Sequence, residues 1–439
     1  MTSRQITTKS GAKVTVNARG GNVRSIQAHN MRIDHGGRGG RRVVTERNGR
    51  RIVSMGRGRG GYSERAYYRR GGRAYYQRTY YRGGRRYAYA YRGYYYHGYR
   101  YYGYAPAYYY RPAYYGWAYN PWPAPVYYNW GWAGNPWYGA YNYYYAPYPA
   151  YPAASYWLTD YMMSEQLRQA YEAGLAAGAS GTASLASDAD LTAALWSPDS
   201  LIAMNLESAY GGVFFASAAR NASQTQLSKE VKEALAEEVK QQIAANKAEA
   251  ENPKQGASAF GFSDPAFTSA SALATSALPL SFAPPAAEPE ETPPALDPKF
   301  RYFVVASDLD LVPADGKECQ LTQGDVILRT GDQLDDNNNV EVTVKSSKKD
   351  DCAVGTKGPV DANDLQEMYN NFRETLDAGL KSLAENAGKN GLPTAPDTST
   401  TAGEVPAPTP DANVDSDLEQ QQKEADQLEA EVKQGSGGQ

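Results

Sequence analysis

Arg42-Val-Val-Thr-Glu-Arg-Asn-Gly-Arg-Arg-Ile-Val-Ser-Met55 reads as two β-branched runs joined by Asn48-Gly49. Asn-Gly tolerates the positive φ values of a type I′ turn, so the stretch predicts a two-residue β-hairpin. Glycine punctuation recurs on both sides, at Ser10-Gly11, Gly20-Gly21, Gly36 to Gly40, Gly56 to Gly61, Gly71-Gly72, Gly83-Gly84, Gly93 and Gly98. From Arg86 the chain alternates strictly, with Tyr87, Tyr89 and Tyr91 on one face and Ala88 and Ala90 on the other. Only a strand uses that period. Residues 10–100 are therefore expected to form a meander of antiparallel hairpins. A competing reading takes Gly56-Arg57-Gly58-Arg59-Gly60-Gly61 and the Arg-Gly-Gly turns as an RGG-type segment that binds RNA by stacking and counterion release. Regular spacing and alternation favour turns with solvated strand-edge charges instead.

The same region holds the compositional signature of the chain. Of 38 tyrosines, 34 lie between Tyr62 and Tyr161. The near-neutral total of −3 hides two opposed halves: residues 1–111 carry 25 basic groups against three acidic ones, and residues 112–439 carry 20 basic against 45 acidic. The basic half is almost all arginine, which stacks on aromatic rings better than lysine does. It suits polyanions, aromatic surfaces, or the chain's own acidic half. The expected contact residues are Arg57, Arg59, Arg69, Arg70, Arg73, Arg85, Arg86, Tyr87, Tyr89 and Tyr91, joined by Trp117, Trp122, Trp130 and Trp132.

Residues 112–158 are uncharged and rich in Tyr, Trp and Pro. Proline at Pro121, Pro123, Pro125, Pro136, Pro147, Pro149 and Pro152 argues against regular structure, so an irregular strap is expected, either packed inside or exposed to a carbohydrate or lipid surface. A helical region, 159–251, follows. Thr159 is placed to cap its first helix, and Leu227, Val231, Leu235, Val239 and Ile243 form a narrow apolar seam suited to coiled-coil-like homo-oligomerisation. Residues 252–298 read as a Pro/Ala/Ser-rich disordered linker, and 393–439 as an acidic disordered tail with a short helix around Leu418 to Val432.

Short strands separated by Asp, Gly and Asn turns mark 299–361 as a small SH3-like barrel. An amphipathic helix bearing Leu365, Met368, Tyr369, Phe372, Leu376, Leu380 and Leu383 extends that module to 392. Cys319 and Cys352 allow either a disulfide or a reduced, buried pair, and two cysteines without a neighbouring histidine do not make a zinc site. The fold class is thus mainly β with helices, in several domains: hairpins at 10–111, strap, helices, linker, barrel plus helix, and tail. No P-loop, Rossmann glycine fingerprint, H-E-x-x-H or G-x-S-x-G occurs, so neither enzyme, cofactor nor metal is expected. No run of about 18 apolar residues suggests a transmembrane segment.

Pro112-Ala-Tyr-Tyr-Gly-Trp-Ala-Tyr-Asn-Pro-Trp122 running on to Ala150-Tyr-Pro-Ala-Ala-Ser-Tyr-Trp-Leu-Thr-Asp160, with Asp364-Leu-Gln-Glu-Met-Tyr369 running on to Gly391-Leu-Pro393 and the region around Val326, resembles a family of uncharacterised bacterial proteins, mostly acidobacterial, that look like exported Tyr/Trp-rich envelope proteins. The resemblance implies location and architecture only. Its members commonly begin with a secretory signal, whereas Met1 to Val16 has no apolar h-region. Periplasm or envelope follows from the resemblance, cytoplasm from the sequence as it begins. The leading expectation is a non-enzymatic structural or interaction protein of the envelope that contacts a polyanionic or carbohydrate surface and a protein partner. The alternative is a nucleic-acid-binding protein using the RGG/Tyr-rich region.

Overall fold

The computed structural model describes residues 3–8, 11–17, 23–36, 40–55, 60–181, 227–251, 290–313 and 316–436. Arg57 and Arg59 lie outside them, as does most of the linker. The dominant element is an antiparallel sheet of ten strands in chain order. Its strands are β1 Ser3–Thr7, β2 Lys13–Asn17, β3 Val23–Ala28, β4 Met31–His35, β5 Arg41–Arg47, β6 Arg50–Ser54, β7 Gly61–Arg70, β8 Arg73–Arg82, β9 Arg85–Tyr96 and β10 Tyr99–Ala105. Asn48 and Gly49, with φ of 52° and 71°, turn β5 into β6 and set Arg47 opposite Arg50. Gly71-Gly72 and Gly83-Gly84 adopt the same left-handed region, open to glycine at no steric cost, and close the next two long pairs.

The remaining strands are β11 Tyr108–Tyr110, β12 Pro121–Val126, β13 Tyr151–Ala153, β14 Tyr302–Val304, β15 Leu309–Leu311, β16 Cys319–Leu321, β17 Val326–Arg329, β18 Asn339–Ser346, β19 Lys357–Asp361 and β20 Thr400–Ala402. The helices are α1 Pro112–Tyr119, α2 Pro136–Tyr141, α3 Ala154–Gly181, α4 Lys229–Glu251, α5 Ala362–Asn386 and α6 Val414–Ser436. Both faces of the large sheet are covered. On one, Gln421 of α6 donates to the Val43 and Ile52 carbonyls and to Thr45 Oγ1 at 3.3, 2.8 and 3.0 Å. Gly61 lies under the helix, where a Cβ would clash with the Val53 carbonyl oxygen of the neighbouring strand and stand 2.5 Å from Leu418 Cδ2. The other face meets α5, whose Asn370 donates to the Tyr102 carbonyl at 2.7 Å and accepts from Tyr104 N–H at 2.9 Å.

The acidic C-terminus is therefore not a disordered tail. Composition forbids it a core of its own, but the sheet supplies one: Ala425 and Val432 join Val14, Ile26, Ile33 and Val43, while β20 pairs with β11. Arginines of the sheet complete the docking, with Arg41 on Asp426 at 2.7 Å, Arg47 on Glu424 at 2.8 Å, Arg50 on Asp411 at 2.5 Å and Arg86 on Asp415 at 2.6 Å. The end of the linker is also packed, because Glu291 N–H donates to the Tyr95 carbonyl at 2.9 Å and Leu296 is buried beside Tyr101.

Four further expectations are corrected. Among the described residues the 299–361 strands form an open sheet, β14-β17-β18-β19, with a separate β15-β16 ribbon, and no closed barrel. Helices fill the concave side instead, so Phe303, Ile327 and Val342 share one core with Trp157 of α3, Val239 of α4 and Leu376 of α5. The seam Leu227, Val231, Leu235, Val239 and Ile243 is buried within this chain, which removes it as an oligomerisation surface. The strap holds two short helices, because Pro112 and Pro136 occupy their first turns, where the missing N–H has no intrahelical partner to lose. Thr159 lies inside α3 and donates to the Ser155 carbonyl at 2.8 Å rather than capping the helix.

Cys319 and Cys352 are joined in a disulfide across a sequence separation of 33 residues. For a loop of this length the chain-entropy relation gives about 3–4 kcal/mol. Replacing both cysteines with serine is expected to lower unfolding free energy by that amount in urea titrations. A loss under about 1 kcal/mol would mean that native contacts already close the loop.

Candidate functional site

Between the large sheet and α5 lies a cavity of about 1150 Å³, slightly above the ~300–1,000 Å³ usual for ligand pockets. The sheet builds its wall by register. Tyr62, Tyr80 and Tyr87 sit directly opposite one another on β7, β8 and β9. Their rings form a ladder, with centroids 5.2 Å apart for Tyr62–Tyr80 and 5.2 Å for Tyr80–Tyr87, the latter pair nearly parallel at 11°. Tyr89 continues it, 5.7 Å from Tyr87 and 5.5 Å from Tyr104. Cross-strand aromatic pairs of this kind stabilise a sheet, and here they place a row of tyrosine rings on the cavity side.

A second row, two residues along each strand and so on the same face, is charged up to Tyr89: Glu46, Arg51, Glu64, Arg78 and Tyr89 face each other from β5 to β9. Arg78 is fully buried. Its Nε donates to Glu64 at 2.5 Å and its two Nη groups to Glu367 of α5 at 2.6 and 2.9 Å. The guanidinium also stacks 4.7 Å from the Tyr62 ring centre and 4.2 Å from that of Tyr91. Burial opposes ionisation of Glu367, but Arg78 outweighs it and holds the carboxyl below the usual glutamate range. Arg51 has no hydrogen bond or ion pair among the described residues, although it lines the cavity between Glu46 and Glu64 in register. The buried Tyr62 hydroxyl likewise has no partner.

The polar face of α5 supplies the opposite wall, where Asp364, Glu367, Asn371 and Glu374 recur at helical spacing. Tyr91 donates to Glu374 and hydrogen-bonds Tyr80 at 2.8 Å. Burial pushes Glu374 up to about 8, with Tyr91 and Arg78 opposing the shift and Glu367 and Asp377 adding to it. Burial likewise pushes Asp364 and Asp377 up to about 6, against the pull of Arg42 and Arg373. At neutral pH the wall thus presents a protonated Glu374 beside an ionised Glu367 that Arg78 already holds.

Of the expected contact residues, Tyr87, Tyr89 and Arg85 line this cavity, and Tyr91 lies beneath it. Arg86 faces the other side of the sheet on Asp415. Arg70 donates to the Glu404 carbonyl at 2.7 Å, Arg73 stands 3.6 Å from the Glu404 carboxylate, and Arg69 is exposed near the same turn. The tryptophans are elsewhere. Trp122 is buried, and Trp117, Trp130 and Trp132 are half-buried against the core, with Trp130 stacked 4.8 Å from Trp157. Composition drew attention to glycine-flanked arginines and missed Arg51, Tyr62, Arg78, Glu367 and Glu374. The available signal was the polar stripe of α5 at 364, 367, 371 and 374.

Among the described residues no cluster of three or more His, Cys, Asp or Glu could hold a metal ion, and no helix is long and apolar enough to cross a membrane. No protein-family model, curated protein or solved structure matches the chain.

Two outcomes are expected from this geometry. Arg78→Met leaves Glu64 buried without its partner and is expected to cost about 3–5 kcal/mol of stability by denaturant titration; a cost below about 1 kcal/mol would show the pair to be peripheral. Between pH 4.5, the ordinary glutamate value, and about 8, the folded state retains a proton on Glu374 that the unfolded chain has released. Stability is therefore expected to fall as pH rises through that window. Melting curves of Glu374→Gln should flatten the upper part of the fall, leaving the contribution of Asp364 and Asp377 near pH 6.

Proposed function

We propose that this chain is a non-enzymatic binding protein of the bacterial cell envelope, and that it holds a carbohydrate in the cavity between the ten-stranded sheet and α5. The observation that carries the reading is the cavity wall itself, a ladder of tyrosine rings and hydroxyls beside polar side chains of α5. Flat aromatic faces suit sugar rings, and convergent polar groups fix their orientation. Glu367 is a poor catalytic base because both its oxygens receive Arg78, which supports binding over hydrolysis. The Cys319–Cys352 disulfide supports an oxidising compartment.

Nucleic acid is the weaker reading. Arg41, Arg47, Arg50 and Arg86 meet carboxylates of the chain's own C-terminal segment, so part of the basic half is neutralised internally and withdrawn from counterion release.

Isothermal titration with a panel of neutral and acidic oligosaccharides tests the proposal. Binding is expected for at least one of them, with Tyr89→Ala weakening it tenfold or more while far-ultraviolet circular dichroism is unchanged. Absence of any carbohydrate binding, together with steeply salt-dependent capture of single-stranded nucleic acid, would overturn it.

A further inference from the structure

Among the described residues, Arg51 lines the cavity with no hydrogen bond or ion pair, and its charge acts on Glu367 only through space. In the charged row its register neighbours are Glu46 and Glu64, yet Glu64 is taken by Arg78 and Arg51 makes no ion pair with either among the described residues. The half-buried guanidinium carries five donors in a planar fork that matches a carboxylate. Desolvating it without an anion is unfavourable, and a ligand that supplied one would relieve that cost. Beside it, Tyr62 is 2% exposed and its hydroxyl is without a partner. Two unsatisfied polar groups thus flank the start of the tyrosine ladder on adjacent strands.

The acidic groups around them are partly offset. Arg78 is shared by Glu64 and Glu367, Arg42 stands 3.4 Å from Asp364, and Glu46, opposite Arg51 in register, is exposed to solvent, where its charge is screened. Glu374, pushed up to about 8, is protonated at neutral pH and has a proton to donate to a ligand oxygen.

We infer that the cavity selects an acidic carbohydrate, an oligosaccharide of uronic acids, with one sugar carboxylate bound by the Arg51 guanidinium and the Tyr62 hydroxyl while neighbouring rings lie along Tyr80, Tyr87 and Tyr89. This rests on the carbohydrate reading above and adds the charge of the ligand. A neutral sugar would leave Arg51 unmatched. A sulfated sugar offers a tetrahedral anion rather than a planar one, which the bidentate fork favours less.

The test uses the full-length protein and three probes of one length: oligogalacturonate, its methyl ester and a sulfated neutral oligosaccharide. Oligogalacturonate is expected to bind at least tenfold more tightly than either of the others. Arg51→Gln should abolish that preference, Arg51→Lys should restore part of it, and Tyr62→Phe, which removes only the hydroxyl, should weaken binding severalfold. Thermal melting of each variant identifies any that lose binding by unfolding. Equal binding of the acid and its ester, or an Arg51→Gln protein of unchanged affinity, would overturn the inference and leave the carbohydrate reading standing. Tighter binding of the sulfated probe would overturn the uronic-acid assignment. Failure of all three probes and of neutral sugars would overturn both.

Discussion

The Arg78 guanidinium ties the two parts of this molecule together. It is fully buried on β8, the third strand from one edge of the ten-stranded sheet, with Glu64 of the adjacent strand on one side, Glu367 of α5 on the other and tyrosine rings over its faces. A buried charge persists only where partners surround it. The sheet and α5 must therefore stay in one registration, and that registration opens the cavity beside them. The tyrosines around Arg78 are held in turn by Tyr91 on Glu374 and Tyr104 on Asp377.

The same logic of matched charge operates on the opposite face at lower intensity. There the arginines of β5, β6 and β9 meet carboxylates of α6 and the segment before it, mostly at half-exposed sites where each pair contributes only about 0–1 kcal/mol. Apolar burial by Ala425 and Val432 does more of the work, and the charges set the orientation. The strong charge asymmetry along the chain thus becomes local neutrality in the fold. A basic half that reads in isolation as a polyanion surface is, in three dimensions, the complement of its own C-terminus.

Much of the local structure was legible. Asn48-Gly49 and the paired glycines signal left-handed turns, and the alternation from Tyr87 to Tyr91 signals a strand whose tyrosines share one face. The stripe from Leu365 to Leu383 is buried along its whole length. Context overrode composition elsewhere. The acidic C-terminus has too few apolar residues to fold alone, and proline suggested an irregular strap, but a partner surface and a helix first turn reverse those expectations. The narrow seam of α4 looked free only because its partners, in the strap, α3 and the small sheet, are distant in sequence.

By itself the sequence determined the turns, the period of the strands, the amphipathic helices and the opposed charges, because each depends on residues within a few positions of one another. Tertiary structure alone decided that the small C-terminal sheet stays open, that the tryptophans pack inward, and which arginines keep a free guanidinium. Those outcomes depend on strand register and on contacts across hundreds of residues. Arg51 and Arg78 are alike in composition and alternation. Only the approach of Glu367 from α5 gives one of them a full set of partners and leaves the other facing a cavity.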